Sequence, residues 1–139
     1  MRDAEQARDI AQVPQAALDL IEREWPGPLT LVLPKRVDAR LAPAVTAGLP
    51  SLAVRAPRHP VMRALLEAVA FPLAAPSANR SGFISPTSAA HVLTSLDGRI
   101  DLVHDGGSSE AGLESTIAAL RADGSWEELR PGPVELPHA

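Results

Sequence analysis

The chain has 139 residues, a formal net charge of -4 and no cysteine. That length suits one domain burying roughly two thirds of its unfolded surface. The missing thiols exclude a disulfide and a cysteine metal site, and the acidic balance argues against strong nonspecific nucleic-acid binding.

Residues 3–24 read as two helical pieces, with Asp3 as the first cap and Pro14 in the first turn of the second. Ala17, Leu20 and Ile21 recur at helical spacing and predict a core stripe. Trp25-Pro26-Gly27-Pro28 ends that helix, and Leu29 to Leu33 is a short apolar strand with Thr30 between leucines. Residues 35–50 predict a loop with a short helix, and Ser51 to Ala56 a second strand. His59-Pro60 opens a helix reaching about Ala70, with Val61, Leu65, Leu66 and Val69 available for burial.

Phe71 to Ala75 predicts a third strand, Pro86 to Leu96 a helix capped by Ser85, and Ile100 to Val103 a fourth strand. Ser115 to Leu120 and Trp126 to Leu129 flank Ala122-Asp123-Gly124-Ser125, a hairpin pattern in which Asp-Gly supplies positive φ angles. Strands alternate with helices early and a hairpin closes the chain. The expected class is therefore α/β (α+β), one domain with a mixed sheet. The 14 prolines argue for short elements and stiff connections. No apolar run approaches the ~20 residues of a membrane helix. The charged start, Met1-Arg2-Asp3-Ala4-Glu5, does not read as a secretory leader.

The chemistry concentrates between Ala74 and Thr87, in A-A-P-S-A-N-R-S-G-F-I-S-P-T. Hydroxyls, an amide, an arginine and a glycine lie between two prolines, ahead of a helix start. Such a passage suits an oxyanion, which takes hydrogen bonds from Ser and Asn and from free N–H groups. An ordinary surface loop of turn residues accounts for the same composition. The four histidines, His59, His91, His104 and His138, have no metal-ligand spacing.

The motif P-S-A-N-x-S-G-x-x-S-P-T resembles the hallmark of the YrdC-like family, the threonylcarbamoyl-AMP synthases. Other blocks agree in order: Trp25-Pro26-Gly27-Pro28-Leu29-Thr30, Leu52-Ala53-Val54-Arg55-Ala56-Pro57, Asp105-Gly106-Gly107, Gly112-Leu113-Glu114-Ser115-Thr116 and Leu129-Arg130-Pro131-Gly132. The resemblance implies a twisted mixed sheet with flanking helices over residues 1–139. Members also carry a T-x-T-x-Y-G-L element and a basic K-x-R motif before the point where Met1 falls. This chain has no Tyr, and its single Lys is Lys35. The expectation is thus the latter two thirds of a YrdC-like domain, incomplete at its N-terminus and poorly active on its own.

The implied reaction joins L-threonine, bicarbonate and ATP into threonylcarbamoyl-AMP and pyrophosphate, for the threonylcarbamoyladenosine modification of tRNA by a separate transferase. By resemblance, Arg55, Ala75 and Ser115 hold threonine, and Ser51, Ser77, Asn79, Ser85 and Arg130 contact ATP. Arg80 is a weaker candidate for the same loop. No catalytic side chain and no protein-held metal is assigned, and Mg2+ travels with ATP. A cytoplasmic location fits. The competing expectation is a catalytically impaired nucleotide- or RNA-binding module that keeps the fold. Weak RNA binding stays open, although one Lys and few aromatics offer little for base stacking.

Overall fold

Leu29, Leu31 and Leu33 alternate with the half-buried Thr30 and Val32, and that period of two marks the first strand and its buried side. The computed structural model describes residues 1–75, 89–96, 98–99, 101–102 and 114–137. The chain divides into two compact units, Met1–Leu73 with Glu114–Ala139, and Ala74–Leu113.

The first unit holds α1 (Ala4–Arg8), α2 (Gln15–Glu24), β1 (Leu29–Pro34), α3 (Pro43–Thr46), β2 (Ser51–Arg55) and α4 (Pro60–Ala68). In the second, α5 spans Ala89–Leu96. The chain re-enters the first unit and ends with β3 (Thr116–Leu120) and β4 (Trp126–Arg130). Four strands form one sheet in the order β2-β1-β3-β4. β1 runs antiparallel to β2 and parallel to β3, while β3 and β4 form the antiparallel hairpin. The sheet is mixed, as expected.

Leu29, Leu31 and Leu33 are fully buried, as is Ala118 of β3. They join Ile10, Ala17, Leu20, Ile21, Leu52, Val54 and Val134 in one apolar cluster. Each fully buried leucine is worth about 1.5–3 kcal/mol. A register slip of one residue would turn the set to the other side of the sheet. Register and burial are therefore the same decision in β1.

The helix ends follow local chemistry. The Asp3 carboxylate accepts from Gln6 N at 2.9 Å and caps α1. Pro14 stands one place earlier than expected, as the N-cap of α2 with extended ψ, so Gln15 opens the helix. Trp25 leaves helical geometry ahead of Pro26, and its indole N–H donates to the Leu29 carbonyl at 2.9 Å. α4 begins at Pro60, with His59 Nδ1 accepting from Val61 N at 3.2 Å. Its Leu66 is buried, but Leu65 is 45% exposed and does not join the core.

Three expectations are corrected. Phe71 to Ala75 is irregular rather than a strand. Pro72 removes a ladder donor and Phe71 is exposed, so the run lacks both bonding and burial. Asp101 and Leu102 lie in no strand, and Leu102 is 81% exposed. Ile100 and Val103 lie outside the described residues. In the hairpin Gly124 alone has positive φ, at 87°. Asp123 instead accepts from Ser125 N at 2.9 Å and from Ser125 Oγ at 2.6 Å, closing the turn through its side chain.

The segment after β4 folds back on β3. Thr116 Oγ1 donates to the Val134 carbonyl at 3.1 Å and accepts from Val134 N at 2.9 Å. A Cβ on Gly132 would sit 2.7 Å from Thr116 Oγ1, so only glycine permits this approach.

Candidate functional site

One row of residues crosses the sheet on the side away from the leucines. Arg55 ends β2, and its register partner on β1 is Thr30. Thr30 pairs with Ile117 of β3, and Ile117 with Arg130 of β4. Adjacent strands lie about 4.8 Å apart, so the two arginine backbones stand roughly 14 Å apart with Thr30 and Ile117 between them. The alternation that buries Leu29 and Leu31 leaves Thr30 half-buried on this other face.

Arg130 reaches the row through an irregularity. The β3–β4 register runs Leu120 with Trp126, Ala119 with Glu127 and Ala118 with Glu128, then shifts so that Ile117 meets Arg130. Regular pairing would have put Leu129 opposite Ile117. The shift skips Leu129, which is 52% exposed, and brings in the arginine.

Ser115, just before β3, is 3% exposed. Arg130 Nε donates to its carbonyl at 3.0 Å, and Arg130 Nη2 to its Oγ at 3.0 Å. The Ser115 hydroxyl also lies 2.6 Å from Thr30 Oγ1. Glu114 stands 3.6 Å from Arg130 Nη2, with both side chains over a third exposed. Such an exposed pair contributes little stability, and its main effect is to temper local positive charge.

Arg55 is exposed by surface area, yet enough protein surrounds its head to lower its pKa from the ordinary guanidinium value by desolvation. Glu114 works against that shift, and Arg130 adds to it through like charge. A guanidinium keeps its proton throughout the physiological range. The arrangement therefore presents two cations and a hydroxyl pair, with one carboxylate beside them. It suits a small ligand bearing a carboxylate, for which a planar fork offers two parallel bonds.

Arg55, Ser115 and Arg130 thus belong to one local constellation. Ser51 does not join it: it opens β2, opposite Pro34 and four residues from Arg55, or roughly 13 Å along the strand. Ala75 is exposed and belongs to the second unit. Ser77, Asn79, Ser85 and Arg80 lie outside the described residues. Sequence reasoning passed over Thr30. Its signal was the one hydroxyl in an otherwise aliphatic strand, which the alternation assigns to the non-leucine face. Among the described residues, no group of three or more His, Asp or Glu side chains could hold a metal ion. Nor is any helix there long and apolar enough to cross a membrane.

Known proteins resemble this chain in sequence and fold. A family model covering Sua5, YciO and YrdC proteins, described as "Telomere recombination", matches residues 1–132. The threonylcarbamoyl-AMP synthase of Bacillus subtilis is 48% identical over 133 residues, which cover 95% of this chain and 38% of that protein. The synthase of Schizosaccharomyces pombe is 46% identical over 134 residues, 94% of this chain and 33% of its own. The crystal structure of Pyrococcus abyssi Sua5 complexed with L-threonine superposes with a TM-score of 0.86 at 44% identity, covering 94% of this chain and 38% of that one. The chain spans between a third and two fifths of the length of these relatives. A family match over residues 1–132, with near-half identity sustained across nine tenths of the sequence, means that the chain belongs to the Sua5–YciO–YrdC family.

Proposed function

We propose that this chain is the threonine-binding part of a threonylcarbamoyl-AMP synthase. The observation that carries the reading is that Arg55, Ser115 and Arg130, which stand far apart in sequence, are brought to one face of the sheet by strand register and by the bonds from Arg130 to Ser115. A two-bond clamp on a carboxylate needs a guanidinium held at a strand end, and Arg55 supplies one. The threonine complex of the P. abyssi relative supports the same ligand class.

In this reading L-threonine, bicarbonate and ATP give threonylcarbamoyl-AMP, pyrophosphate and water. The threonine amine becomes a carbamate, whose oxygen attacks the α-phosphorus as pyrophosphate leaves. No covalent intermediate with the protein is needed. The protein's task is to hold the reactants in line and to neutralise developing charge. Arg55 and Ser115 position threonine. Arg130 contacts the nucleotide from the hairpin. Magnesium enters with ATP, held largely by phosphate oxygens. The product serves tRNA threonylcarbamoyladenosine formation, a role that a cytoplasmic location fits.

The test begins with binding. Titration calorimetry of the purified chain with L-threonine should give a saturable isotherm that Arg55→Ala removes. A second assay adds ATP, bicarbonate and magnesium and follows pyrophosphate release that depends on threonine. A folded chain that does not bind L-threonine would sink the reading.

A further inference from the structure

Ser115 is 3% exposed, so its hydroxyl offers little surface to a ligand. Its Oγ meets Arg130 Nη2 at 3.0 Å and Thr30 Oγ1 at 2.6 Å. A guanidinium has only donors, so Ser115 Oγ accepts from Arg130. Ser115 has one proton of its own, and Thr30 Oγ1 is an acceptor within reach. Were Thr30 the donor instead, the proton of a buried hydroxyl would have no partner among the described residues, an arrangement folded proteins avoid. The bonds therefore run from Arg130 to Ser115 to Thr30, and the last free proton is that of Thr30. Each donor in such a chain polarises the next, here starting from a cation.

Thr30 is half-buried on the sheet face opposite the leucine core and is the register partner of Arg55. We propose that Thr30 is a carboxylate-binding residue, whose hydroxyl donates to the same carboxylate that the Arg55 fork receives. Ser115 then acts as a positioning residue, handing the polarisation of Arg130 forward rather than contacting the ligand through its own proton. The proposal rests on the threonine reading for the identity of the ligand, but not for its carboxylate chemistry.

Two probes separate these. Calorimetry measures L-threonine affinity for the whole chain and for Thr30→Val and Thr30→Ser. NMR follows the Thr30 methyl group of the unchanged chain against sodium acetate, a carboxylate with neither amine nor hydroxyl. Loss of a hydrogen bond to a charged acceptor predicts a roughly tenfold or greater weakening in Thr30→Val, while Thr30→Ser stays within about threefold. The methyl resonance should shift saturably with acetate. Unchanged affinity in Thr30→Val overturns the proposal, as does equal weakening in both variants, which would mark shape rather than the hydroxyl. Absence of a saturable acetate response also overturns it, and decides alone if Thr30→Val fails to fold. Acetate binding without threonine binding would reject the threonine reading and uphold the carboxylate donor.

Discussion

Arg55 and Arg130 carry the same charge on the same sheet face, but their surroundings divide their work. Arg130 spends two donors on Ser115 and faces Glu114, which anchors it to the strand before it. Arg55 has Thr30 as its strand neighbour, and desolvation lowers its pKa. Its planar fork is therefore the better candidate for a ligand carboxylate. A lysine there would keep the charge but lose the paired geometry. Losing one of two charge-assisted bonds costs about 1.5–3 kcal/mol. Arg55→Lys should thus weaken L-threonine binding by roughly 10- to 100-fold at neutral pH. Titration calorimetry measures it, and equal affinities for the two proteins would rule out a two-bond clamp.

Among the elements, α1 has the clearest electrostatic cap. The Gln6 backbone N–H holds the Asp3 carboxyl below its ordinary value of 3.8, aided by Arg2 and opposed by burial. The folded state therefore favours the ionised form. The cap's contribution is complete above the unfolded pKa and is lost as pH falls through the lower folded one. Asp3→Ala should destabilise the protein by about 0.5–2 kcal/mol at pH 7. It should also flatten the acid end of the stability curve, because that part of the slope belongs to Asp3. Urea melts of both proteins between pH 7 and pH 2.5 give the comparison. Parallel curves down to the lowest pH would show that Asp3 is not a native-state cap.

Across the first unit, one leucine face organises everything else. Leu31 is fully buried in the cluster that α2 joins through Ala17, Leu20 and Ile21, and it immediately follows Thr30 of the site row. Leu31→Ala should cost about 2–5 kcal/mol through lost burial and the cavity left behind. For a chain of this size that lowers Tm by on the order of 10 °C or more. Val37 is 99% exposed, and Val37→Ala should stay within about 0.5 kcal/mol. Thermal melts of the two variants distinguish the sheet face from surface apolar residues that touch nothing. Similar losses in both would mean that the leucine face is not the stabilising core.

Much of this was legible in the chain because it depends on near neighbours. The strand at Leu29–Pro34, the helices from Gln15 and Pro60 and the hairpin around Gly124 follow from apolar spacing, proline and glycine, which act within a few residues. Family membership was legible too, since the motif blocks are contiguous. The runs at Phe71 and around Asp101 misled because an apolar run becomes a strand only if another strand pairs with it. The site row was legible in part. Arg55 and Ser115 stood out through the family blocks they lie in, but Thr30 gained meaning only when pairing set it between them. Arg130 depends on the skipped residue at Leu129: regular alternation would have turned it to the opposite face. Strand pairing and register join residues up to 85 positions apart, as in the Thr30–Ser115 bond, and no local pattern encodes that distance.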